Sequence, residues 1–91
     1  MRTENVIFKM DSAGEVKAVL LSRYRGDLHN IPAYSRKEGF HTVSYGSLLV
    51  GVRNATAEEY DKTFRELLGK WPASKIHICG RMPAFAKLEF K

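Results

Sequence analysis

From Asn5 to Met10 the chain is dominated by β-branched, aromatic and other apolar side chains, a strand composition. Asp11-Ser12-Ala13-Gly14 is turn chemistry, because an Asp carboxylate accepts from the backbone two residues on and Gly tolerates positive φ. Glu15 to Ser22 returns as a strand with Val16, Ala18 and Leu20 on one face and Lys17, Val19 and Leu21 on the other. These patterns predict a β-hairpin over residues 5–22. No period is sustained from Arg23 to Gly39, and Gly26, Asp27, Asn30, Pro32, Ser35 and Gly39 punctuate the stretch, so a long basic loop is expected over 23–39. Strands follow at 40–45 and 47–53, with Gly46 marking a tight turn or bulge between them.

The helical pattern is the clearest in the chain. Tyr60, Phe64, Leu67, Leu68 and Trp71 fall on one face of a helix. Thr56 is a suitable N-cap, and Glu59 three residues later completes a capping box. Glu58, Glu59 and Asp61 crowd the first turn, where the helix dipole favours anions, and Gly69 and Pro72 bracket the stop. A helix is therefore predicted over 57–69. Alternation resumes at 75–79 and again at 84–90, separated by Gly80-Arg81-Met82-Pro83. The simplest architecture that buries the helix stripe is α+β: a single antiparallel sheet of five or six strands with one amphipathic helix packed on one face. The expected core comprises Val6, Phe8, Val16, Ala18, Leu20, Val43, Leu49, Tyr60, Phe64, Leu67, Leu68, Trp71, Ile76, Ile78, Leu88 and Phe90, with Trp71 largely buried at the helix end.

At 91 residues and 44% hydrophobic, the chain suits one small ordered domain and is too apolar for a disordered one. The one cysteine, Cys79, forms no internal disulfide and suits a reducing compartment. No apolar run approaches a membrane span or a secretory signal, so a cytoplasmic location without membrane association is expected. The net charge of +5 is concentrated. Residues 21–53 carry five positive and two negative side chains, and residues 70–91 carry five and one. Such an excess invites an anionic partner.

Several short motifs stand in a familiar order: Val6-Ile7-Phe8-Lys9, Gly14-Glu15-Val16, Ala18-Val19-Leu20, Ser44-Tyr45 and Ala55-Thr56-Ala57-Glu58-Glu59-Tyr60. Over residues 6–68 the chain resembles a family of small uncharacterised α+β proteins encoded on phages, plasmids and other mobile elements. That family usually carries a cysteine shortly before the Ser-Tyr pair and a His/Gln-rich stretch after it. Here Thr42 precedes the pair and Gly46-Ser47-Leu48-Leu49 follows. The resemblance implies a mobile-element origin and no particular mechanism.

The candidate chemistry lies in the 23–37 segment, which interleaves Arg23, Tyr24, Arg25, His29, Tyr34, Arg36 and Lys37. Cations neutralise phosphates and tyrosine faces stack on unpaired bases, which is the physics of single-strand binding. The competing assignment is that Tyr24 and Tyr34 pin a loop to the core while the cations are solvated. Zinc-finger, KH and RNP patterns are absent, as are the nucleophile elbow and the phosphate-binding glycine motifs. His77 and Cys79 share one strand face, but with His41 they fall short of a ligand set, and no metal or cofactor is expected. The expected function is a non-catalytic binding module that contacts nucleic acid through Arg23, Tyr24, Arg25, Tyr34, Arg36 and Lys37, with Arg53 and Arg81 as further phosphate contacts. The alternative is a protein-interaction module of mobile-element origin that inhibits or modulates a host factor.

Overall fold

The hairpin expected at the start of the chain forms β1 (Glu4–Met10) and β2 (Val16–Leu20), paired antiparallel from Val6↔Leu20 to Met10↔Val16. The structure is a computed structural model that describes residues 3–48 and 52–80. Expectations for the strand at 84–90, for Leu49, Leu88 and Phe90 in the core, and for Arg81 lie outside the described residues. In the β1–β2 turn, Asp11 Oδ1 accepts from the N–H groups of Ala13 (3.0 Å) and Glu15 (2.9 Å), and Gly14 takes φ 85°. The turn thus works by the chemistry its residues announce.

The expected 23–39 loop is not one loop. After a 3-10 turn at Leu21–Arg23, the chain forms β3 (Ile31–Ser35) and turns directly into β4 (Gly39–Val43). Ser35 pairs with Gly39 across a three-residue connection. Gly39 sits at φ 72°, the left-handed position such a hairpin requires. Pro32 argues against a strand because it lacks a ladder N–H. It is accommodated at the point where the β2–β3 pairing, Ala18↔Tyr34 and Val19↔Ala33, has ended. Of the strand expected over 47–53, residues 49–51 lie outside the described residues, and Ser47 and Leu48 belong to a 3-10 turn instead. Gly46–Leu48 is a 3-10 turn, held by Ser47 bonding the Ser44 carbonyl at 2.8 Å and seated by buried Leu48. Among the described residues only Arg53–Asn54 (β5) pairs there, with Met10 and Lys9.

Helix α1 (Ala57–Leu68) carries the expected capping box: Thr56 Oγ1 accepts from the Glu59 N–H, and the Glu59 carboxylate accepts from the Thr56 N–H. A 3-10 turn at Ala73–Lys75 leads into β6 (Ile76–Ile78). The sheet is mixed rather than purely antiparallel, because β6 runs parallel to β1 (Glu4↔Ile76 to Val6↔Ile78). Hairpin links force antiparallel neighbours, whereas β1 and β6 are separated by the rest of the described chain, helix included, and are free to run parallel. The order is β4-β3-β2-β1-β5, with β6 sharing the outer edge of β1. Asn54 Nδ2 donates to the Gly80 carbonyl and ties β5 to the end of β6. The fold is α+β, one mixed sheet with one helix. Among the described residues no helix is long and apolar enough to cross a membrane.

Both sheet faces are covered. On the helix side Val6, Phe8, Val16, Ala18, Leu20 and Tyr34 pack with Leu67, and Tyr60, Phe64, Trp71 and Ile76 lie partly buried around them. On the other side Ile7, Val19, Ile31 and Leu48 form a second cluster with Leu21, Tyr24, Leu28, Val43 and Cys79. The unbroken apolar runs Val6-Ile7-Phe8 and Ala18-Val19-Leu20 suit strands buried on both faces. Leu68 and Ile78 are each 36% exposed, so they border the core. Trp71 is only partly buried because it follows the helix end and packs at the rim.

Candidate functional site

The residues singled out in 23–37 are divided between the two faces of the sheet. Tyr24 joins the second cluster with Ile7 and Val19, whereas Tyr34 lies on the helix side. The two rings therefore form no common stacking surface. Arg23 ends its 3-10 turn and grips Glu4, donating from Nε at 3.2 Å and Nη2 at 3.0 Å. Glu4 is 6% exposed, so this guanidinium satisfies a buried carboxylate. Arg53, in β5 at the opposite edge from β4, holds both oxygens of Glu59 at 2.7 and 2.6 Å. Arg25 and Lys37 are exposed, and Arg81 lies outside the described residues.

The pairing of Arg23 limits its use as a probe. Arg23→Ala leaves Glu4 without its hydrogen-bonding partner. The expected loss is about 1–3 kcal/mol of stability, measured by urea unfolding. This is below the cost of breaking a fully buried pair, because the Arg23 side chain is 45% exposed. A variant as stable as the parent would mean that water reaches Glu4.

A different constellation gathers where β3, β4 and the end of α1 meet. The ring of Phe40 (β4) lies edge to face with Tyr34 (β3), centroids 5.0 Å apart at 62°, and with Trp71 at 6.0 Å and 67°. Phe40 is 52% exposed, more than any other large apolar side chain among the described residues. Cations border this surface. Lys70 Nζ stands 5.5 Å from the Phe40 centroid and 5.9 Å from that of Tyr34, and the Arg23 guanidinium stands 5.0 Å from that of Trp71. Both fall within cation–π range.

Below the rings, Tyr34 donates its hydroxyl to Glu66 Oε1 at 2.7 Å, and Arg36 donates Nε to Oε2 at 2.7 Å. The Tyr34 hydrogen bond, with that of Arg36, holds Glu66 below the usual carboxylate range, and the same bond raises the Tyr34 phenol. Glu59 is held at about 2 by Arg53 and by the Thr56 N–H. The N-terminus of α1 is therefore already occupied by its own cap. A cavity of about 640 Å³ opens between the β1–β2 turn and α1, lined by Arg36, Lys37, Lys62, Glu15 and Glu59 among others.

Sequence reasoning placed Tyr34 and Arg36 at this surface and missed Phe40, Lys70 and Trp71. Phe40 does lie in a strand and Trp71 does pack against the core, but neither pattern shows that the two rings meet at the surface. The available signal was that Phe40 begins a predicted strand immediately after Gly39, with basic Arg36 and Lys37 just before it. Among the described residues no three His, Cys, Asp or Glu side chains cluster so as to hold a metal ion. Comparisons with protein-family models, with curated proteins and with solved structures find no match for this chain.

Proposed function

We propose that this protein is a small non-catalytic binding module that takes single-stranded nucleic acid on the surface formed by Phe40 and Trp71, with Lys70 and Arg36 at its rim. The observation that carries this reading is the half-exposed Phe40 ring set beside Trp71 and bordered by Lys70. An exposed ring accepts any unpaired base on its face, while neighbouring cations follow the backbone. The positive net charge supports the same partner. Compared with an interface built on 23–37 and Arg53, this surface keeps Tyr34 and Arg36, dispenses with Tyr24 and Arg53, and leaves Arg23 committed to Glu4 beside Trp71.

The test is fluorescence anisotropy with labelled single-stranded and duplex oligonucleotides between about 50 and 200 mM salt. The expected result is a preference for the single strand and a log–log slope that reports at least two phosphate contacts. A competing reading, a protein-interaction module directed at a host factor, is favoured by β4, which pairs only with β3 among the described residues. An open edge next to an exposed ring can accept a partner's strand. Absence of oligonucleotide binding at the lowest salt, together with a stoichiometric partner retained at high salt, would replace the first reading with this one.

A further inference from the structure

Arg36 belongs to two places at once. It borders the aromatic surface through Glu66, and it also lines the cavity between the β1–β2 turn and α1. Only its Nε is engaged, so its two terminal nitrogens have no partner among the described residues, and its side chain is 53% exposed. Lys37 and Lys62 line the same cavity, both exposed and neither ion-paired among the described residues. Two carboxylates share the lining. Glu59 is neutralised by Arg53 through both oxygens, while Glu15 has no cation partner among the described residues. With Arg36 paired to Glu66 and Glu59 paired to Arg53, the unmatched charge of the lining is that of two ammonium groups opposed by one carboxylate, and the terminal nitrogens of Arg36 add open hydrogen-bond donors.

We infer that this cavity is a second subsite of the same interface, in which Lys37, Lys62 and the free end of Arg36 take the phosphates of nucleotides adjoining the one stacked at Phe40. The inference rests on the nucleic-acid reading above and assigns to it a direction, from the β4 side of the molecule past Arg36 toward the hairpin turn. Ammonium groups contact phosphates as point charges and read no sequence. The subsite therefore adds affinity that depends on strand length and salt, not on base identity. Glu15 opposes that affinity.

The experiment uses an octathymidylate labelled at one end, the parent protein, Lys37→Gln/Lys62→Gln and Glu15→Gln. Each phosphate contact on a single strand contributes about 0.7 to the log–log salt slope, so loss of two lysines should lower it by about 1.4. Octamer affinity should fall at low salt and converge with the parent's at high salt, while Glu15→Gln should shift it in the opposite direction. The fluorescence of Trp71, the one tryptophan in the chain, should be quenched to the same extent at saturation in the parent and in the lysine variant, because the stacked nucleotide is untouched. An unchanged slope in the lysine variant, with binding still sensitive to Phe40→Ala, would overturn the subsite and leave the aromatic surface standing. No octamer binding by the parent protein would overturn both.

Discussion

Phe8→Ala is expected to lower the free energy of unfolding by about 3–5 kcal/mol, the usual cost of emptying a buried aromatic site. Phe8 is 2% exposed on β1, the strand with the most partners. Its ring stacks on Tyr60 with centroids 4.3 Å apart and meets Phe64 edge-on at 6.1 Å, so one side chain of the sheet meets two rings of the helix. A chain of this length has roughly 5–14 kcal/mol of stability in total. The loss should lower the melting temperature by more than about 12 °C, followed by circular dichroism. Phe8→Leu should fall between variant and parent, since it retains part of the volume. A shift of only a few degrees for Phe8→Ala would mean that α1 does not dock on this face.

Phe40→Ala should separate binding from folding in the other direction. Stacking of a base on an aromatic side chain contributes about 1–3 kcal/mol, so single-strand affinity should drop by roughly 5- to 150-fold. Stability should change little, because half of the ring already faces water. Phe40→Tyr should retain binding, since the stacking face survives. Trp71→Ala is a poorer probe, because Trp71 also packs against the helix-side core and under Arg23. Loss of binding there would mix two causes. Unaltered affinity in Phe40→Ala would remove the aromatic surface as the stacking platform.

What the sequence made legible was local. The Asp11–Gly14 turn, the Thr56–Glu59 capping box and the α1 stripe each depend on neighbours within a few positions; the turn and the cap appear as read, and the stripe does at Tyr60, Phe64 and Leu67, while Leu68 is exposed and Trp71 only partly buried. β3 was hidden by Pro32, whose missing N–H counts against a strand only where a ladder partner needs it. The parallel pairing of β6 was hidden for a different reason: alternation marks a strand but carries no information on the direction of its neighbour. The candidate site suffered most, because charges are cancelled over long separations. Arg23 finds Glu4 19 positions away, and Arg36 finds Glu66 30 positions away. A basic segment in the sequence therefore overstates the free positive charge on the folded surface.

The placement of β6 beside β1 has a consequence for how the molecule is made. β1 emerges from the ribosome before every other described element, and its outer edge is then bare. The residues that cover Glu4 to Val6 along that edge are Ile76 to Ile78, which emerge only after every other described strand and the helix. Until they arrive, the strand at the centre of both cores presents unpaired backbone beside Val6, Ile7 and Phe8. Such an edge is a template for association with a neighbouring nascent chain. Closing it is a non-local event and belongs late on the folding path. Slowing translation within the helix codons should therefore lengthen the interval of exposure and increase aggregation during synthesis, without changing the finished protein.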